Sequence, residues 1–194
     1  NLLSEGIPDW RIAVTGNPVI DALQHISQLP IPAEIQALLQ QHGIHPNGKK
    51  LILITAHRRE NFGKPIENIC EAIRTLAAQY SDAIHFFYPV HLNPNINTPV
   101  YTLLSNLPNV TLLPPLEYLS LVYLIKNASI VLTDSGGIQE EATGLGKPTF
   151  VLREVTERPE GIEAGVLKLV GTNTQRIVSE VNGLLNDPEQ YQKM

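Results

Sequence analysis

Apolar residues in this chain fall in short blocks, and the blocks alternate between two spacings. "KKLILITA" (49–56), "IHFFYPV" (84–90), "NVTLL" (109–113), "SIVLT" (129–133), "PTFVL" (148–152) and "VLKLV" (166–170) are apolar almost throughout, and turn residues or charged loops flank most of them. Runs of this length read as strands buried on both faces. The segments between them carry helical spacing instead. In "PIENICEAIRTLAAQY" (65–80), Ile66, Ile69, Cys70, Ile73, Leu76, Ala77 and Tyr80 share one face, and Pro65 suits a first helical turn. "TPVYTLLSNL" (98–107), "YLSLVYLIKNA" (118–128) and "TQRIVSEVNGLL" (174–185) read as further helices, another starts after "DSGG", and "DPEQYQKM" (187–194) ends the chain in helical character. Apolar strands alternating with amphipathic helices imply a parallel sheet with crossover helices. The expected fold is therefore α/β, a doubly wound parallel sheet of Rossmann-like type over residues 49–194. Residues 1–48 read as an interdomain preamble or linker region, with one short strand, "RIAVTG", two helical pieces, "VIDALQHI" and "AEIQALLQQHG", and the linker "LPIPAE" between those pieces.

Composition narrows the function classes. The formal net charge is −5 and the sequence pI is about 5.7, which disfavours nucleic acid and anionic lipid as partners. Cys70 is the one cysteine, so no disulfide forms within the chain; its place on the apolar helix face predicts a buried structural thiol. No apolar run has the roughly 18–20 residues that span a bilayer and no secretory leader opens the chain, so a cytoplasmic protein without a membrane segment is expected. The histidines lack metal-ligand spacing and no GxGxxG opens a strand–helix unit, so neither a metal nor a tightly bound dinucleotide cofactor is expected. The chain begins without an initiator Met and stops inside a helical pattern, which reads as fragment boundaries.

Ligands of doubly wound sheets sit beyond the carboxyl ends of the strands. The loops there are "HRRENFGK", "HLNPN", "PPLEY", "DSGG" and "REVTERPEG", and they contain His57, Arg58, Arg59, His91, Arg153 and Arg158. Only His85, Arg74 and Arg176 lie elsewhere in residues 49–194. An acidic chain with a cationic rim on one sheet edge suits an anionic small molecule, a phosphate or diphosphate above all. Each loop keeps a plainer reading beside the functional one. "DSGG" lacks the first glycine of a nucleophile elbow, since Thr133 stands there, and a nucleophilic Ser135 would also need a positioned base. Ser135, Gly136 and Gly137 fit a phosphate cradle at a helix N-terminus and equally an ordinary serine-capped helix start. Glu140 and Glu141 lie about 100° apart around the helix, so at most one points squarely into the cleft, where a carboxylate would accept from ribose hydroxyls. Arg158 suits bidentate recognition of phosphate or a salt-bridge network, and His91 suits a ligand contact or a satisfied loop.

Taken in order, "VTGNPVIDAL", "TAHRREN", "YPVHLNP", "PPLEY", "TDSGGIQEEA", "LGKP" and "TERPEG" resemble the non-hydrolysing UDP-N-acetylglucosamine 2-epimerases, nearly end to end. The resemblance implies the C-terminal half of a two-domain GT-B-type enzyme that interconverts UDP-GlcNAc and UDP-ManNAc by eliminating and re-adding UDP, in cell-envelope polysaccharide biosynthesis. It implies UDP binding by Ser135, Gly136, Gly137, Glu141, Arg158 and His57, with Glu141 on the ribose hydroxyls, the "PPLEY" backbone at uracil and His57 also a candidate catalytic residue. Arg58 and His91 match positions implicated in binding a second, allosteric UDP-GlcNAc, and the whole protein would be a homodimer. The acidic residues proposed for proton transfer at C2 belong to an N-terminal domain that the 194 residues do not include, so this portion is expected to bind UDP and not to epimerise alone. Pro18, Thr143, Val155 and Leu121 depart from the usual family residues. The donor-binding half of a GT-B glycosyltransferase and a stand-alone UDP-sugar-binding module are the alternatives.

Overall fold

The computed structural model describes residues 2–194. Six strands form one parallel sheet: β1 (Lys50–Thr55), β2 (Ile84–Pro89), β3 (Val110–Leu113), β4 (Ala128–Thr133), β5 (Thr149–Val151) and β6 (Leu167–Leu169). Their order is β3-β2-β1-β4-β5-β6. The chain winds outward from β1 to β3, returns to the middle of the sheet, and winds outward again from β4. That reversal is the doubly wound pattern, and it creates a crevice between β1 and β4 at their carboxyl ends.

Among the described residues nine α-helices flank the sheet: α1 (Pro18–Ser27), α2 (Ala33–Gln41), α3 (Lys64–Gln79), α4 (Pro94–Leu104), α5 (Tyr118–Asn127), α6 (Gly136–Gly144), α7 (Pro159–Glu163), α8 (Thr174–Asn186) and α9 (Pro188–Lys193), and short 3-10 turns form at Asp9–Arg11 and Arg59–Asn61. Side chains alternate across the strands, so each strand supplies both layers of core. Ile52, Ile54, Phe86 and Tyr88 pack under α3, α4 and α8, where Ile69, Val100 and Val181 meet them. Leu51, Leu53, Phe87 and Val131 pack on the other face with Ile35 and Leu39 of α2 and Leu124 of α5. Each such side chain contributes about 1.5–3 kcal/mol by leaving water. Burial on both faces is what makes these strands apolar throughout instead of alternating.

Cys70 lies fully buried on α3. Burial, with Glu67 and Glu71 nearby, pushes its thiol up to about 12. The two helical pieces expected in residues 1–48 form, and both pack on the sheet domain: Leu23 of α1 is fully buried and Ile35 of α2 is 2% exposed.

Three local differences from the sequence expectation have physical reasons. "RIAVTG" pairs with no strand among the described residues: Arg11 ends a 3-10 turn, and Val14 stands 99% exposed in a segment without regular structure. A strand exists only through a partner ladder, and apolar spacing alone does not supply one. The fourth helix starts at Pro94, with Asn93 accepting from the Asn95 N–H as its cap, so Pro99 lies inside it. Pro99 resembles a first-turn proline and pulls a sequence-based boundary inward. The short helix α7 follows Arg158 in a segment that carries too few apolar residues to show helical spacing. No helix among the described residues is long and apolar enough to cross a membrane.

Candidate functional site

The crevice between β1 and β4 brings two loops side by side. At the strand ends Thr55 pairs in register with Thr133, and their hydroxyls share a 2.7 Å hydrogen bond. Beyond it, the chain after β1 presents His57 and Arg58, and the chain after β4 presents Asp134, Ser135 and the two glycines. Asp134 joins the two. It is fully buried, and its Oδ2 accepts from the backbone N–H groups of His57 and Arg58 at 2.8 Å each and from Asn61 Nδ2 at 2.9 Å. Asn61 Nδ2 also donates to the Leu152 carbonyl at 3.2 Å, which ties the same loop to the end of β5.

Ser135 occupies the cap position of α6, yet its side chain caps nothing. Its own N–H donates to Thr133 Oγ1 at 3.0 Å. Among the described residues the first-turn N–H groups of α6 have no side-chain acceptor, and such a helix end carries positive partial charge. A Cβ placed on Gly136 would lie 3.1 Å from Glu157 Oε2, 3.6 Å from Arg58 Nη2 and 4.0 Å from Arg158 Nη2. Two guanidinium groups from different loops therefore converge on this helix end, and a glycine keeps the approach open. A Cβ on Gly137 would meet nothing within 4 Å. This arrangement can hold an anion by backbone N–H groups and guanidinium together.

Three carboxylates organise the surrounding arginines. Glu140 accepts from Arg158 Nε with one oxygen and from Asn17 Nδ2 with the other, which fastens the start of α1 to the site. Arg153 donates to Glu60 and to Glu157 and is itself only 6% exposed. Its place on the ligand-facing rim is thus taken by an internal role: it ties the loop after β1 to the loop after β5. Thr156 donates to Gln139 Oε1, and its Oγ1 accepts from the Arg158 N–H, so the arginine's backbone is also tethered to α6.

Glu141, not Glu140, lies on the buried side of α6, at 7% exposure. Tyr118, which ends "PPLEY", donates to Glu141 Oε1 at 3.1 Å. Burial raises the Glu141 carboxyl above its ordinary range, against the lowering effect of the Tyr118 hydrogen bond, and burial beside Glu141 pushes the Tyr118 hydroxyl up to about 12. His57 and His91 stack with ring centroids 5.5 Å apart and planes 14° apart. Both line a pocket of about 240 Å³ with Val90, Leu116, Ser135 and Ile138. Burial lowers His57's proton affinity, Asp134 raises it, and His91 and Arg58 lower it further.

The structure thus gathers His57, Arg58, His91, Ser135, Gly136 and Arg158 at one crevice, with Gly137 open beside them and Glu141 further along α6 against Tyr118. Among the described residues no histidine hydrogen-bonds the Ser135 hydroxyl, so the base that a nucleophilic serine requires is not in place. Sequence reasoning passed over Asp134, Asn61 and Tyr118. A signal for the first was present: a carboxylate directly after a wholly apolar strand must find donors where it stands, or it would not be buried.

Comparison with known proteins bears on this crevice. A family model described as UDP-N-acetylglucosamine 2-epimerase matches residues 1–194. A Salmonella typhimurium UDP-N-acetylglucosamine 2-epimerase is 50% identical over 196 residues, covering 100% of this chain and 52% of the relative. The crystal structure of the Neisseria meningitidis UDP-GlcNAc 2-epimerase bound to UDP-GlcNAc superposes with a TM-score of 0.91 at 49% identity, again over 100% of this chain and 52% of the other. A Staphylococcus aureus relative solved with UDP gives a TM-score of 0.89 at 42% identity, over 100% and 51%. The chain spans about half the length of the relatives it matches. The doubly wound sheet, the anion-ready crevice at its reversal and the match along all 194 residues agree: the chain belongs to the UDP-N-acetylglucosamine 2-epimerase family.

Proposed function

We propose that this chain is the UDP-binding half of an enzyme that interconverts UDP-GlcNAc and UDP-ManNAc. The observation that carries the reading is the uncapped N-terminus of α6 with Arg58 and Arg158 converging on Gly136. Relatives solved with UDP-GlcNAc and with UDP support it. In this reading the diphosphate rests on the N–H groups at the start of α6 and on the two guanidinium groups, and Ser135 offers its free hydroxyl. Glu141 accepts from the ribose hydroxyls, with Tyr118 holding one of its oxygens in place. The "PPLEY" backbone meets the uracil. Such a site serves elimination, because the charge on departing UDP develops against helix dipoles and cations already gathered on the bound nucleotide.

The anion does not enter an empty field. Glu140 already engages Arg158 and Glu157 engages Arg153, so an arriving phosphate competes with Glu140 for Arg158. Arg58 and His91, which the resemblance links to a second UDP-GlcNAc, lie at the same crevice as His57, so an activator there would touch the reacting ligand directly. The 194 residues by themselves bind the nucleotide and do not turn it over, because the acidic residues that the resemblance assigns to the C2 proton lie outside them. The homodimer and the cytoplasmic location belong to the same reading. Titration calorimetry with UDP tests it: binding should be weak and should fall by tenfold or more in Glu141→Ala and in Arg158→Ala, about 1.4 kcal/mol or more in each. Equal affinity in wild type and both variants would remove the site from this crevice.

A further inference from the structure

We propose that Asp134 is a positioning residue for this site: one carboxylate oxygen fixes the loop that carries His57 and Arg58, and the other holds the His57 ring by its Nδ1–H, leaving Nε2 for the ligand. The inference rests on the nucleotide reading for its purpose, while its geometry stands in the ligand-free chain.

The two oxygens of Asp134 have different surroundings. Oδ2 accepts three hydrogen bonds, from the N–H groups of His57 and Arg58 and from Asn61 Nδ2. Oδ1 is equally buried and accepts none among the described residues. A buried carboxylate oxygen without a donor is costly, more so than a neutral one. The donor that the structure places beside it is His57 Nδ1, at 3.8 Å. That separation is too long for a hydrogen bond, and a small ring movement closes it. The loop backbone that carries the ring is already clamped by Oδ2, so little freedom is lost in that step.

The consequence concerns the proton on His57. The charged or titratable groups around the ring are Asp134 beyond β4, His91 stacked on it from the loop after β2, and Arg58 on its own loop. Burial, with His91 and Arg58, disfavours the imidazolium, and Asp134 is the group that opposes them. With Nδ1–H committed to Asp134, the neutral ring presents Nε2 as an acceptor and the protonated ring presents it as a cationic donor to a diphosphate oxygen. A histidine oriented in this way by a second group has a defined tautomer, as the third member of a catalytic triad imposes on its histidine.

Nitrogen-15 NMR of the histidine rings in the ligand-free chain tests this directly. The proposal expects the neutral His57 ring to carry its proton on Nδ1. It expects Asp134→Asn to lower the His57 pKa by about one unit, the usual effect of losing an opposite charge at this range, and to mix the tautomers. Asn61→Ala, which removes one Oδ2 partner and leaves the charge, should not move that pKa. UDP affinity should fall in Asp134→Asn. A neutral His57 with its proton on Nε2, or a pKa unchanged in Asp134→Asn, would overturn the proposal. If Asp134→Asn does not fold, the wild-type tautomer decides alone. Absence of UDP binding by the wild type would sink the nucleotide reading and leave the Asp134–His57 pair to be judged on the ligand-free spectra.

Discussion

Acidification from pH 7 to pH 4.5 should cost this chain about 2.5 kcal/mol of folding stability through His85 alone. His85 lies on β2 at 2% exposure. Its Nε2 shares a hydrogen bond of 2.8 Å with Thr111 Oγ1, and its ring packs against His42 at 4.1 Å and Phe87 at 5.1 Å. Burial above all, then His42 and Lys49, lowers its pKa from 6.5 to about 4. The unfolded chain therefore takes up a proton near pH 6.5 that the folded chain refuses until about pH 4. Between those values the unfolded state binds more protons, so stability falls as the pH falls, and the loss levels off below about pH 4 at roughly 3 kcal/mol in all. The assay is urea unfolding at both pH values for wild type and His85→Asn, which keeps a polar partner for Thr111 and cannot titrate. Other groups titrate in both proteins, His42 with the same sign, so the difference between the two losses isolates His85. The wild type should lose about 2.5 kcal/mol more than the variant. An equal loss in both would refute the reasoning.

The glycines at the start of α6 offer a paired test. Gly136→Ala should weaken UDP binding by tenfold or more, since its Cβ would press on Glu157 and stand between the two guanidinium groups. Gly137→Ala, with open space around it, should instead raise thermal stability by up to about 1 kcal/mol, read from the unfolding midpoint. Glu140→Gln should loosen the start of α1 by weakening the tie to Asn17 and Arg158, and limited proteolysis should then cut residues 12–17 faster than in wild type. Cys70 should resist thiol reagents in the native chain and react at the unfolded rate once urea exceeds the midpoint, because burial keeps it protonated.

Much of this fold is legible in the sequence because a parallel sheet writes itself as apolar runs. Leu51 to Ile54 and Ile130 to Leu132 are buried on both faces, and their shortness between turn residues marks them as strands. The location of the crevice is legible for a related reason: His57, Arg58, Ser135 and Arg158 all follow strands at their carboxyl ends. Their partners are not legible, because these depend on which strands are neighbours. Asp134 meets His57 across 77 positions only because β4 lies beside β1. Arg153 illustrates the same limit from the other side. It looks like a rim cation in sequence, and two glutamates 93 and 4 positions away turn it inward. "RIAVTG" shows that apolar spacing without a neighbouring ladder does not make a strand.

A titration of the chain with UDP, followed through its backbone amide resonances, tests the central claim most directly. The account predicts that the N–H signals of Ser135, Gly136 and Gly137 move most, with those of His57, Arg58 and Arg158, and that the groove of about 800 Å³ between α3 and α4 stays unchanged. Shifts confined to Glu67, Glu71 and Thr98 in that groove, or no shift at saturating UDP, would contradict it.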